Sequence, residues 1–190
     1  MKTSNKQGLT CSRIAAFTGR PGVGKTTAMM RVVEMLRGDG FRVGGFYTRE
    51  LREAGVRKGF ELVDIESGEK ALLASVSAGA GPRIGKYVVM LDNLERLGVA
   101  SLERSLATCD VLAVDEVGPM ELLSNKFVET VEKILHSGKP SVFTVHVSAT
   151  HPVAQTIRKM AGENLYVLDT VNRDRVPRVV YEVVKRWLRS

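Results

Sequence analysis

The stretch Gly19-Arg20-Pro21-Gly22-Val23-Gly24-Lys25-Thr26 fits the pattern G-x-x-x-x-G-K-[ST]. In a P-loop of this pattern, backbone N–H groups wrap a polyphosphate, and glycines allow turns that a Cβ atom would obstruct. The helix that follows presents its positive N-terminal end to the anion. The stretch therefore predicts a nucleotide-binding loop with contacts from Gly19, Arg20, Pro21, Gly22, Val23, Gly24, Lys25, Thr26 and Thr27.

The flanks of this stretch predict the strand and the helix that a P-loop joins. Residues 14–17, Ile-Ala-Ala-Phe, form a short apolar run that is typical of a buried strand. Gly38 and Gly40 indicate where the following helix ends. Between them, apolar residues recur at helical spacing at Met29, Val32, Val33 and Leu36.

The end of the P-loop and a later acidic pair are the predicted reactive groups. Lys25 is expected to contact the β- and γ-phosphates, which makes it a predicted catalytic residue as well, and the Thr26 hydroxyl is expected to bind Mg²⁺. Asp115 and Glu116 follow the apolar run 111–114. Carboxylates at the tip of such a strand face the phosphate site, so Asp115 is expected to hold Mg²⁺, directly or through water. Glu116 is the predicted catalytic base that polarises a water for attack on the γ-phosphate.

The remaining pattern alternates strands and helices, which predicts an α/β fold with a mostly parallel sheet covered on both faces. Residues 46–76 predict a small antiparallel excursion, with a charged turn at 51–58. Asp92 or Asn93 is expected to cap a helix over 94–106, and Ser124 to cap the next one. Further strands are expected at 141–147 and 165–168, and further helices at 152–160 and 177–187.

Length, composition and charge narrow the class of protein. The 190 residues suggest one domain over 13–190 after a frayed N-terminal tail over 1–12, with no apolar signal-peptide region and no membrane-spanning run. Cys11 and Cys109 match no metal spacing, which fits a reducing cytoplasm. The net charge of +7 is spread along the chain and suits a nucleotide partner. A nucleic-acid partner is not favoured, because no aromatic platform interleaves the charges. We expect a monomer.

Further polar residues are weaker candidates. Thr144 and His146 end the strand after the acidic pair and could contact the γ-phosphate or the attacking water. Asn172 and Arg173 follow a predicted strand and could meet the base or ribose of a nucleotide. The arginines that could stabilise transition-state charge are Arg20, Arg49, Arg52, Arg57, Arg83, Arg158 and Arg173.

Together these motifs resemble the small P-loop nucleoside-triphosphatases of thermophilic bacteria and archaea, whose human relative is the cancer-related nucleoside-triphosphatase. The resemblance spans nearly the whole chain from Arg13. Gly-Phe-Tyr-Thr at 45–48 and Asp-Glu-Val-Gly-Pro-Met-Glu-Leu at 115–122 are its most specific segments. The others are 18–27, 57–60, 83–89 and 172–173.

The resemblance implies a RecA-like, compact one-domain fold. It also implies slow, Mg²⁺-dependent hydrolysis of ATP, GTP, CTP and UTP or TTP to diphosphate and phosphate, with little base selectivity. Met90 departs from the pattern, because relatives such as the human protein carry an acid there.

Two alternatives fit the same motifs. The first is a nucleotide or small-molecule kinase, for which the charged segment 49–58 could serve as a lid over an acceptor. The second is a nucleotide-switched module that binds nucleic acid or protein and uses hydrolysis as a timer. Phosphate release without any acceptor favours the hydrolase over the kinase, and strong stimulation of turnover by RNA or DNA favours the module.

Overall fold

The computed structural model describes residues 12–190, so Cys11 and nearly all of the expected tail over 1–12 lie outside the described residues. The strands are β1 (Ile14–Gly19), β2 (Val43–Glu53), β3 (Val56–Asp64), β4 (Lys70–Ser75), β5 (Arg83–Ile84), β6 (Tyr87–Val89), β7 (Val111–Val117), β8 (Ser141–Val145) and β9 (Leu165–Leu168). The helices are α1 (Lys25–Gly38), α2 (Leu91–Asn93), α3 (Ala100–Thr108), α4 (Asn125–His136), α5 (Pro152–Ala161) and α6 (Val176–Arg189).

All of these strands join one sheet in the order β5-β6-β4-β3-β2-β7-β8-β1-β9. The strands from β2 to β9 in this order pair in parallel, and those from β2 back to β5 pair antiparallel. The α/β class with a parallel sheet and an antiparallel part is therefore confirmed. The antiparallel part extends to Val89, beyond the predicted limit at residue 76, because β5 and β6 add to its edge.

Helices cover both faces of the sheet, and each face has its own apolar core. Strand β1 shows the division, because Ile14 and Ala16 join one core whereas Ala15 and Phe17 join the other. The first core packs against α3, α4 and α5, and the second against α1 and α6. Phe17 is fully buried, and burial of such a side chain stabilises the fold by roughly 1.5–3 kcal/mol.

The helix after β6 differs from its prediction. It begins at Leu91, and residues Leu94–Val99 form a π-helical turn before α3. Neither Asp92 nor Asn93 caps it, so that prediction was wrong. The Asn93 side chain instead donates to the carbonyl of Leu72 at 2.9 Å and ties the helix to β4.

Two other boundaries differ, and one capping prediction is confirmed. The charged segment 51–58 is mostly strand, because the turn between β2 and β3 consists only of Ala54 and Gly55, both with positive φ. Strand β8 ends at Val145 rather than at residue 147. The Ser124 hydroxyl accepts a hydrogen bond from the Phe127 N–H at 3.2 Å and caps α4 as predicted. Within residues 12–190, no helix combines the length and apolar character needed to cross a membrane.

Candidate active site

The candidate site lies where β1, β7 and β8 end and α1 begins. Because these strands are parallel neighbours, their carboxyl ends meet at one edge of the sheet. This edge brings together the P-loop after β1, the acidic pair in β7, and Thr144 in β8. The pairing of β7 with β8 shifts register between Val114 and Val117, at the position of the acidic pair.

The P-loop backbone depends on its glycines. Gly19, Gly22 and Gly24 have φ values of 144°, 76° and 107°, a region that favours glycine. A Cβ atom on Gly19 would lie 2.6 Å from the carbonyl oxygen of Leu168, so β1 and β9 can approach only with glycine there. The Lys25 side chain is 8% exposed and curls back, with Nζ 3.4 Å from the Gly19 carbonyl oxygen.

Asp115 is the centre of a hydrogen-bond network between three elements. Its carboxylate is 1% exposed and accepts the Thr26 hydroxyl from α1, at 2.9 Å to Oδ2. The backbone N–H and the hydroxyl of Thr48 in β2 donate to the same oxygen at 3.0 and 3.1 Å. The Thr144 hydroxyl donates to Oδ1. The Thr144 hydroxyl thus contacts Asp115 and does not line the cleft. Thr48 also belongs to the site, although no sequence pattern assigned it a role there.

Glu116 faces a different environment from its neighbour. Its Oε1 is buried without a hydrogen-bond partner among the described residues and lies 3.5 Å from Lys25 Nζ. Burial, reinforced by the charge of Asp115, raises the pKa of the Glu116 carboxyl, while Lys25 and His146 oppose this shift. The arrangement provides an acceptor oxygen beside the P-loop lysine.

Glu121 is a second group that sequence reasoning missed. It lies in the 3₁₀ turn Glu121–Leu123, is buried, and would have Oε2 3.2 Å from a Cβ atom placed on Gly118. Burial, with a smaller contribution from the charge of Glu116, raises its pKa to about 8. Its place in the segment 115–122 was the only available signal, because burial of one acid in a short turn cannot be inferred from sequence.

These groups line a cleft of about 670 Å³, a size typical of small-molecule sites. The P-loop, Thr48, Glu116 and His146 form one part of it. Hairpin residues and apolar side chains form the rest. The full lining is Pro21, Gly22, Gly24, Lys25, Thr26, Thr27, Thr48, Arg49, Glu50, Arg52, Arg57, Phe60, Leu73, Ile84, Glu116, Pro119, Met120, Glu121 and His146.

The seven candidate arginines separate into three groups. Arg49, Arg52 and Arg57 line the cleft, each paired with a glutamate of the hairpin. Arg158 donates to the carbonyl oxygens of Ala149 and His146 and holds the loop after β8. The remaining three, which are exposed and do not line the cleft, are Arg20, Arg83 and Arg173.

Asn172 and Arg173 lie in the loop between β9 and α6. The Asn172 amide donates to the Val167 carbonyl at 2.9 Å and accepts from the Asp169 N–H at 3.0 Å, so both of its polar ends are used within the loop. The Arg173 guanidinium reaches the P-loop, 3.4 Å from the carbonyl oxygen of Val23. The structure thus brings Arg173, but not the Asn172 amide, to the loop.

A P-loop after the first strand and an acidic pair at the tip of another parallel strand, separated from the first by β8, define the class of P-loop nucleotide-binding proteins. Comparison with known proteins refines this class, because a family model described as NTPase matches residues 14–181. The chain therefore belongs to the NTPase family.

Individual relatives agree with this assignment. The nucleoside-triphosphatase THEP1 of Methanosarcina acetivorans is 44% identical over 176 residues, covering 92% of this chain and 97% of that protein. THEP1 of Methanopyrus kandleri is 45% identical over 173 residues, covering 90% and 95%.

Two solved structures share the fold. The crystal structure of THEP1 from Aquifex aeolicus has a TM-score of 0.79 at 31% identity, covering 91% of this chain and 99% of that one. The solution structure of a human cancer-related nucleoside triphosphatase has a TM-score of 0.74 at 32% identity, covering 92% and 98%. The resemblance inferred from the motifs is therefore confirmed.

Proposed function

We propose that this protein hydrolyses nucleoside triphosphates to diphosphates and phosphate, with Mg²⁺ and with little selectivity for the base. The observation that carries the proposal is Oε1 of Glu116, which accepts no hydrogen bond from the described residues and lies 3.5 Å from Lys25 Nζ in a cleft lined by the P-loop. A carboxylate there can accept a hydrogen bond from a water that attacks the terminal phosphate.

Phosphate binding rests on the loop backbone and on Lys25. The backbone N–H groups of the P-loop, to which Pro21 contributes none, and the start of α1 supply a positive environment for the β- and γ-phosphates. Lys25 is held between the Gly19 carbonyl and Glu116, which supports its proposed role as the cation that would meet the terminal phosphate. A fixed cation at this point stabilises the charge that develops during transfer.

The residues beside the P-loop fit a magnesium ion. The Thr26 hydroxyl donates a hydrogen bond to Asp115, which leaves the lone pairs of the Thr26 oxygen free for a cation. Within residues 12–190, no cluster of three or more His, Cys, Asp or Glu could hold a metal alone. Mg²⁺ does not need such a cluster, because it keeps several water ligands and is also bound by the phosphates of the substrate. Thr26 would hold it, with Asp115 behind that hydroxyl, and it would neutralise phosphate charge.

Glu116 is the proposed base for water. The carboxylate accepts the proton of the attacking water, the water oxygen bonds to the γ-phosphorus, and the electron pair of the broken bond leaves with the diphosphate. Burial raises the pKa of this carboxyl, which strengthens it as a base compared with an exposed glutamate. His146 lines the cleft beside it and is the second polar candidate to orient the water.

The loop between β9 and α6, which carries Asn172 and Arg173, supports low selectivity for the base. The Asn172 amide, which could read a base edge, is engaged within its own loop. The proposed nucleotide contact from this loop is therefore chiefly the Arg173 guanidinium, a flat group that can pack against any base. We further propose that residues 13–190 act as one domain, and that it works in the cytoplasm, where the buried Cys109 thiol stays reduced.

The test is phosphate release from ATP, GTP, CTP and UTP, each with Mg²⁺ and with EDTA. We expect release from all four, with rates that differ by less than about tenfold, which is about 1.4 kcal/mol of discrimination. EDTA should abolish release. Release from one nucleotide alone would contradict the low selectivity, and release in EDTA would contradict the metal requirement.

A further inference from the structure

The cleft is larger than the part that the P-loop uses, and its far wall is apolar. We call this part the apolar chamber and define it by its lining residues Phe60, Leu73, Ile84, Pro119 and Met120. Phe60, Leu73 and Ile84 come from the antiparallel part of the sheet. Apolar side chains give a polyphosphate no hydrogen bonds, so hydrolysis by water does not account for this wall.

A triphosphate on the P-loop would have the apolar chamber beyond its terminal phosphate. Lys25 and Thr26 mark the γ-phosphate end of a P-loop, and Glu116 stands next to Lys25 on the same cleft. Arg173, which reaches the outer side of the P-loop, does not line the cleft. A nucleotide whose base lies on the side of Arg173 therefore points its terminal phosphate at the apolar chamber.

The hairpin of β2 and β3 adds positive charge at the rim of this chamber. Arg52 and Arg57 share Glu50, and Arg49 pairs with Glu61, so three guanidinium groups meet two carboxylates. Arg57 Nε is buried without a hydrogen-bond partner among the described residues. These five hairpin side chains thus carry one excess positive charge and one unused buried donor.

Arg57 packs over the ring of Phe60. The guanidinium carbon lies 5.4 Å from the centroid of the Phe60 ring, within the range of cation–π contacts. A guanidinium beside an aromatic ring offers planar groups that suit a planar base, and the excess positive charge of the hairpin suits an anionic group on the same molecule.

We propose that the apolar chamber binds a nucleoside monophosphate, and that the enzyme transfers the γ-phosphoryl group to it. The inference rests on the proposed function for the triphosphate half of the cleft. The base would pack against Phe60 and Met120, and the monophosphate would face the hairpin arginines and the terminal phosphate. Hydrolysis by water would then be the reaction of an enzyme whose chamber is empty.

The chemistry of this transfer balances without another reagent. A monophosphate oxygen bonds to the γ-phosphorus, and the bond from that phosphorus to the bridging oxygen breaks. The electron pair stays on the departing diphosphate, so the products are two nucleoside diphosphates. Because the second pKa of a phosphate monoester is about 6, the attacking oxygen is already ionised at neutral pH.

The binding test uses the full chain saturated with Mg²⁺ and a non-hydrolysable ATP analogue, titrated calorimetrically with AMP, GMP, CMP and UMP. We expect at least one of them to bind with a Kd below about 1 mM, the upper end of ordinary substrate constants. With ATP in place of the analogue, the same radiolabelled monophosphate should become diphosphate.

Variants locate the site. Phe60→Ala should weaken monophosphate binding about tenfold, the effect of losing one stacking contact, and more than it weakens binding of the analogue. Phe60→Leu, which keeps an apolar side chain, covers the case in which the alanine variant does not fold. Tyr166→Ala removes a half-buried aromatic side chain that does not line the cleft and should leave monophosphate binding unchanged.

The outcomes separate this inference from the proposed hydrolysis. If ATP releases phosphate but no monophosphate binds or becomes phosphorylated, the inference is overturned and the hydrolase stands. If the analogue displaces the monophosphate, both share the P-loop and the inference is also overturned. If the protein neither releases phosphate from ATP nor transfers it to a monophosphate, both the proposed hydrolysis and this inference are overturned.

Discussion

Glu116 and Asp115 are neighbours in sequence with different surroundings at the scale of single residues. Asp115 is saturated by hydroxyl and N–H donors, whereas Oε1 of Glu116 accepts no hydrogen bond. The strand-tip position of the pair could be predicted from the apolar run before it. The different roles of the two acids could not be predicted, because they depend on Thr48 and Thr144, which come from distant parts of the chain.

We predict that Glu116→Gln lowers the turnover of ATP by about 10²- to 10⁴-fold, the usual contribution of a general base. The amide keeps the shape of the side chain but cannot take a proton from water. Single-turnover phosphate release measures the loss, and fluorescence titration with a labelled ATP analogue checks that binding persists. Glu129→Gln, an exposed glutamate on α4, is the matched control and should be indistinguishable from the parent. Turnover by Glu116→Gln at the parental rate would assign the base elsewhere.

At the scale of elements, the contact between β2 and β7 determines whether Thr48 can reach Asp115. Gly45 in β2 has a φ of 112°, and a Cβ atom there would lie 2.0 Å from the carbonyl oxygen of Ala113 in β7. The carbonyl of Gly45 also accepts the Ser101 hydroxyl at 2.7 Å, which joins α3 to the strand. The glycine allows the two strands to pair closely enough for the Thr48 contacts.

We predict that Gly45→Ala lowers the free energy of unfolding by roughly 2–4 kcal/mol, because it combines overpacking with an unfavourable backbone conformation. Urea unfolding measures this change, and phosphate release should fall as β2 moves away from Asp115. Gly79→Ala is the matched control, because that position is open and has no positive φ. Equal stability of the two variants would show that β2 tolerates the added methyl group.

Sequence periodicity predicted most elements because it reflects which side chains are buried. The spacing of apolar residues indicated α1, α4 and α6, and the Ser124 cap was visible as a hydroxyl before an apolar helix. Strands β5 and β6 have only two and three residues and carry little pattern of their own. The π-helical turn at Leu94–Val99 carries no local signal either, and its Gly98 lies against Phe46, which is distant along the chain.

At the scale of the whole molecule, Glu121 makes stability depend on pH. Its pKa is about 8 in the folded protein and near 4.5 in an unfolded chain. The folded state therefore holds a proton that the unfolded state releases, and the stabilisation is complete below about pH 4.5 and lost as the pH rises through 8. The sequence could not predict this, because the shift arises chiefly from burial of the carboxyl in the folded protein.

We predict that the parent protein loses stability relative to Glu121→Gln as the pH rises from 5 to 7.5. The difference should grow by about 1.4 kcal/mol per pH unit, which is one proton's worth of linkage, because glutamine does not titrate. Urea unfolding of both proteins at several pH values measures it. Parallel stability curves would indicate that Glu121 is ionised in the folded protein.

The three hydroxyls around Asp115 come from residues 26, 48 and 144, so a single carboxylate gathers donors from α1, β2 and β8. A chain in which α1, β2 or β8 has not yet packed beside β7 would lack at least one of them and would leave that acid exposed to water. Capture of a fluorescent nucleotide during refolding should therefore appear only after all three elements have joined β7, later than the recovery of helical circular dichroism. Nucleotide binding during refolding should therefore report the correct packing of these elements around Asp115.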